Sequence, residues 1–155
     1  MIEHEVVARK IVELIPLLMQ NVAADLRCEG LSMAPAHFRL LGMLAHHPCN
    51  LSELAEKQEV TMATMSNSVN TLVERGWVQR IAVPHDRRMI MLELTPAGWE
   101  MLVKSHQHLV QRVDHLISQL TEEELEQIQD GMAILQRVFD NSLVKASLSF
   151  DRSCE

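Results

Sequence analysis

Residues 51–76 read LSELAEKQEVTMATMSNSVNTLVERG. They hold two short helical patterns separated by little more than a turn. The first, with Asn50 before it, offers Asn50 or Ser52 as an N-cap. The second has Thr61 as cap and Gly76 as terminator. Two short helices at this separation have the spacing of a helix-turn-helix.

The second helix divides into two faces. At about 100° per residue, Met65, Val69, Leu72 and Val73 line one side, and Ala63, Thr64, Asn67, Asn70, Thr71 and Glu74 line the other. A solvated helix face is commonly rich in Lys and Glu pairs; this one presents hydroxyl and amide groups of poor helix propensity. Such short groups suit base edges in a major groove, Asn in particular suiting adenine. On an arbitrary helix this face would meet only water. In the second position of a helix-turn-helix it points to DNA.

Beyond Gly76 the period changes from 3.6 to 2: Val78 and Arg80, then Ile81 and Val83, precede a turn, and Ile90, Leu92 and Leu94 share one face after it. A hairpin is expected, with PHDRR, residues 84–88, at its tip. Asp86 and Arg88 are two apart, on one side of an extended strand, where they can pair and brace the tip. Arg87 points the other way, free to enter a narrow minor groove. Taken alone, such a tip would be a solvated turn with a surface ion pair worth about 0–1 kcal/mol. Charge distribution supports the first reading: Arg75, Arg80, Arg87 and Arg88 against Asp86 give +3 within a chain of net charge −7, leaving −10 elsewhere.

Helices are expected on both flanks. Val7, Ile11, Leu14, Leu18 and Val22 mark one over residues 3–27, with a kink or break at Pro16 and Gly30 ending it. A second fits 34–46, with Pro35 in its first turn, Phe38, Leu41 and Leu44 facing inward, and Pro48 stopping it. Thr95 and Pro96 start a helix running to about Leu120. A capping box, Thr121 with Glu124, starts the last, which carries Leu125, Ile128, Met132, Leu135, Phe139 and Leu143. The tail SFDRSCE reads as frayed. The fold class is mainly α with a small β-hairpin wing, a winged helix-turn-helix. The terminal helices have more apolar face than one small core absorbs, so a second copy is expected against them.

The helix-turn-helix, followed by DRRMIMLELTPAG at residues 86–98, resembles the MarR family of winged-helix transcription regulators over nearly the whole chain. The resemblance implies one domain over 1–155, with a winged lobe at about 34–95 and dimerisation helices at about 3–27 and 96–148. It further implies a homodimer on a palindromic double-stranded operator, with Thr64, Ser66, Asn67 and Asn70 in the major groove, Arg87 in the minor groove, and Asp86 and Arg88 holding the wing. Asn67 stands where the family often has Arg or Lys, and Ser68 where an apolar residue is frequent. A repressor is expected, because a bound dimer would occlude a promoter. The implied input is a small amphipathic, often aromatic acid between the dimer helices and the lobe, with His37, Arg39 and Met43 named for its lining.

Other readings find less in the sequence. A zinc-sensing branch of the family makes Cys28, His37, His106 and His108 candidates, and His37 matches that branch's second-helix ligand. His106 and His108, however, are two apart and diverge by about 160° on a helix, whereas ligands for one ion prefer a spacing of four. No metal or cofactor is assigned. Cys28 follows Arg27 at a helix C-terminus, which raises a thiol pKa, and the cysteine of the peroxide-sensing branch near the start of the first helix has no counterpart here. Glycine-rich phosphate loops, G-x-S-x-G and H-E-x-x-H are absent, so no enzyme is expected. Isolated cysteines and the lack of a long apolar run indicate a cytoplasmic protein without a membrane span. The alternatives are a zinc-responsive regulator of the same family and a winged-helix module that binds protein.

Overall fold

The computed structural model describes residues 3–27 and 31–139. The elements are α1 (His4–Arg27), α2 (Pro35–Leu44), β1 (Cys49–Asn50), α3 (Leu51–Gln58), α4 (Met62–Glu74), β2 (Val78–Val83), β3 (Asp86–Leu94), α5 (Pro96–Ile117) and α6 (Glu122–Val138). Cys28, Gly30, Leu143 and the SFDRSCE tail lie outside the described residues.

Local chemistry sets the helix ends. Asn50, rather than Ser52, caps α3 through a reciprocal box: its Oδ1 accepts from the Glu53 N–H at 2.9 Å, and the Glu53 carboxylate accepts from the Asn50 N–H at 2.8 Å. The helix closes where Glu59 turns to φ 54°, and the Val60 N–H reaches back to the Ala55 carbonyl at 3.0 Å. Thr61 then caps α4 by accepting from the Thr64 N–H at 3.1 Å. At the far end Gly76 takes φ 72°, where L side chains are disfavoured.

The apolar side of α4, Met65, Val69 and Leu72, is buried against Leu40, Leu41 and Leu44 of α2, Leu54 of α3, Val78, Leu92 and Leu94 of the sheet, and Leu102 of α5. Burying a side chain of this size contributes about 1.5–3 kcal/mol, so this cluster holds the angle at which α4 leaves the lobe. Ile90, expected to share the face of Leu92 and Leu94, is 50% exposed because β3 runs past the core there.

The sheet is antiparallel in the order β1-β3-β2, with Cys49 opposite Leu92 and Val78 opposite Leu94. β1 is two residues long, too short to show alternation, and the sequence reading does not contain it. The turn is also tighter than expected. Its tip is Pro84–His85, and Asp86 to Arg88 already belong to β3, where a register irregularity between Ala82 and Val83 disturbs the pairing.

In α1 the break allowed for at Pro16 does not occur, and the helix runs through the proline. The proline removes one hydrogen bond to the carbonyl four residues back, that of Val12, a residue 65% exposed.

The wing is joined tightly to α5. The Thr95 hydroxyl accepts from the Gly98 N–H at 3.0 Å and donates to the Gly76 carbonyl, while the Thr95 N–H donates to the Trp77 carbonyl at 3.1 Å. A Cβ on Gly98 would lie 2.0 Å from the Trp77 carbonyl oxygen, so only glycine permits this approach. By contrast, α1 buries only Leu26, and α6 buries none of its residues.

Candidate nucleic-acid interface

The outward face of α4 is built from Thr64, Asn67 and Asn70, all exposed, with Ser66 half-buried at its flank. No acidic residue occupies the first turn of α4. Its N-terminal partial positive charge is therefore not neutralised locally, which favours a phosphate there. The Thr64 hydroxyl shares a hydrogen bond with that of Thr61 at 2.9 Å, and the Thr71 hydroxyl donates back to the Asn67 carbonyl at 3.1 Å. These bonds leave the Asn67 amide as a projecting group with both donor and acceptor capacity.

Arg87 is exposed on β3. Asp86 acts on the wing differently from the expected side-chain pair: its Oδ1 accepts from the Arg88 backbone N–H at 2.9 Å. The bond forms where strand pairing is irregular, and a carboxylate two residues back is a ready local acceptor. Among the described residues neither Arg87 nor Arg88 forms an ion pair, so both guanidinium charges are available to a polyanion.

The other two arginines of the basic stretch are held by the fold. Arg75 donates to the Ser32 carbonyl at 2.7 Å and lies 5.0 Å from the centre of the Trp77 ring; it ties the segment before α2 to the end of α4. The guanidinium of Arg80 donates to Asn70 Oδ1, across the junction of β2 and α4. In the sequence Arg80 shows as one of four clustered cations and as a position in the strand period. The one available signal was its alternation with Val78, which puts both on the strand side that faces α4.

The three residues named for a ligand pocket do not share one environment. His37 is half-buried, with a buried Nδ1 that has no hydrogen-bond partner among the described residues. Burial, and then the neighbouring Arg75 charge, lower its pKa from the ordinary imidazole value. Arg39 is exposed, whereas Met43 is buried and takes a contact from the Gln58 amide at 3.6 Å. A cleft of about 380 Å³ is lined instead by Phe38 of α2 and by Leu109, Val110, Val113 and Ile117 among the residues of α5, and none of the three lines it. Among the described residues no three His, Cys, Asp or Glu side chains converge as a metal cage. Cys49 is buried, which pushes its thiol pKa up, and its Sγ lies 3.3 Å from His47 Nδ1.

Residues 30–89, which span the helix-turn-helix and most of the wing, match the model of the MarR family. The winged lobe is thus similar to the MarR family. Among its relatives, the HTH-type transcriptional regulator BilQ of Clostridium symbiosum is 29% identical over 106 residues, covering 68% of this chain and 72% of that protein. The fold is shared with the MarR crystal structure of Escherichia coli in its apo form, at TM-score 0.71 and 23% identity, covering 90% of this chain and 98% of that one. It is also shared with Streptococcus pneumoniae FabT crystallised in complex with DNA, at TM-score 0.66 and 18% identity, covering 89% of this chain and 98% of that one. Among the described residues, no helix is long and apolar enough to cross a membrane.

Proposed function

We propose that this protein is a sequence-specific, double-stranded DNA-binding transcriptional regulator that acts as a homodimer on a palindromic operator. The observation that carries the reading is the contact between Asn70 on the outer face of α4 and Arg80 on β2. It makes the helix face and the wing parts of one surface. Thr64, Ser66, Asn67 and Asn70 serve the major groove, and Arg87 serves the adjoining minor groove, with Asp86 and Arg88 holding the wing.

Two copies supply two half-sites about one helical turn apart, the arrangement by which short recognition helices gain specificity. The terminal helices, about 3–27 and 96–148, form the dimerisation region around a winged lobe at about 34–95. Exposed Leu17, Val113 and Met132 support this assignment. We assign the protein to the cytoplasm, as a repressor released by a small amphipathic ligand. The buried His37 Nδ1, without a hydrogen-bond partner among the described residues, and the apolar cleft at Phe38 support such a ligand.

Fluorescence anisotropy on the DNA upstream of the protein's own gene, against a scrambled duplex over a salt series, tests the reading. A preference for the native fragment that persists at physiological salt is expected. Absence of binding even at low salt would overturn it and favour the protein-binding module.

A further inference from the structure

We infer that Arg80 is a positioning residue that turns Asn70 into a hydrogen-bond donor toward DNA, so that the pair reads a guanine edge instead of adenine. The inference rests on the DNA-reading role proposed for α4.

A guanidinium has five N–H donors and no acceptor. The Asn70 atom facing Arg80 must therefore be the amide oxygen, which fixes the orientation of the amide: Oδ1 is turned toward β2 and held there. Asn recognises adenine through both ends of its amide, the oxygen accepting from N6 and the nitrogen donating to N7. In this chain an amino donor brought to that oxygen meets a guanidinium that already donates to it and a positive charge beside it. The Asn70 NH2 group and the remaining Arg80 N–H groups are all donors. Guanine answers them with two neighbouring acceptors, N7 and O6, whereas adenine and cytosine each place an amino group in the major groove.

Both residues are exposed, so the pair contributes little to the core and is open to a partner. Asn67, one turn earlier, has no such constraint on its amide among the described contacts. The two asparagines of one face therefore read different bases, a distinction that their shared residue type conceals.

The test is selection of bound duplexes from a random-sequence pool by wild type, Arg80→Met, Asn70→Ala and Asn70→Asp. The wild type is expected to select a symmetric site with guanine at one pair of related positions. Arg80→Met, which keeps an apolar stem but frees the amide, shifts those two positions toward adenine. Asn70→Ala relaxes the same positions by about ten-fold in relative affinity. Asn70→Asp, whose carboxylate still holds Arg80 but cannot donate, loses the guanine preference as well. Uniformly weaker binding in Arg80→Met and Asn70→Ala, with an unchanged selected sequence and a lower salt slope, means phosphate contacts and overturns the inference while leaving the DNA-reading role intact. Failure of the wild type to enrich any sequence overturns that role, and the inference with it.

Discussion

Arg87 places on an exposed strand beside the turn a guanidinium that, among the described residues, neither a carboxylate nor the core holds. Its replacement should therefore affect DNA and leave folding alone. Arg87→Ala is expected to weaken binding, most at sites with an A/T-rich flank, and to lower the salt slope by about one if a phosphate contact is lost too. Anisotropy titrations at several salt concentrations would show this; identical affinity and slope for both proteins would remove Arg87 from the interface. His37 makes a different prediction. Its folded pKa is lowered, so above the ordinary value of about 6.5 both folded and unfolded states are neutral and no stability depends on this group. As pH falls below that value the unfolded state takes up the proton first, and stability is lost until the folded pKa is reached. Wild type should thus lose more melting temperature than His37→Phe between neutral pH and pH about 5.5. Parallel curves would show that the imidazole is not held neutral. At this scale the outward set Thr64, Asn67 and Asn70 was legible, because helical periodicity fixes direction. Arg80's bond to Asn70 was not, because it depends on where a strand ten residues later comes to rest.

Caps and close approaches govern the elements. Gly98 allows α5 to start against the Trp77 carbonyl, and backbone on both sides leaves no flexible side chain to yield. Gly98→Ala is therefore expected to cost at least about 1–3 kcal/mol, measured by urea unfolding. Gly42→Ala, where a Cβ meets nothing within 4 Å, should stabilise by about 0.4–1 kcal/mol. Equal effects at the two sites would refute the close-approach argument. Thr61, Thr95 and Thr121 were readable as caps because each is followed by a helix start with a definite residue pattern. Pro16 and β1 were not readable. Whether a proline breaks a helix depends on the surroundings of the carbonyl it strands, and β1 exists only because β3 offers it Leu92 and Met91 as partners.

The molecule as a whole leaves apolar side chains in water on three helices: Leu17 on α1 is 59% exposed, Val113 on α5 45%, and Val138 on α6 68%. Leu14 and Leu18 of the α1 stripe and Ile128 and Met132 of the α6 stripe are exposed as well, so the terminal stripes read from the sequence are not absorbed by the core of one chain. Sedimentation equilibrium is expected to give twice the 17.6 kDa chain mass, and Leu17→Glu combined with Val113→Asp to shift it toward the monomer. A monomeric wild type at micromolar concentration would contradict the proposed dimer. The absence of any buried residue in α6 carries a further consequence. Its order is then a property of the copy number as much as of the chain, since whatever binds only the folded form stabilises it by mass action. A hundred-fold rise in concentration favours the folded dimer by roughly 2.7 kcal/mol, so the melting midpoint should climb with concentration. A cell that dilutes the regulator as it grows would then lose folded protein faster than it loses chains.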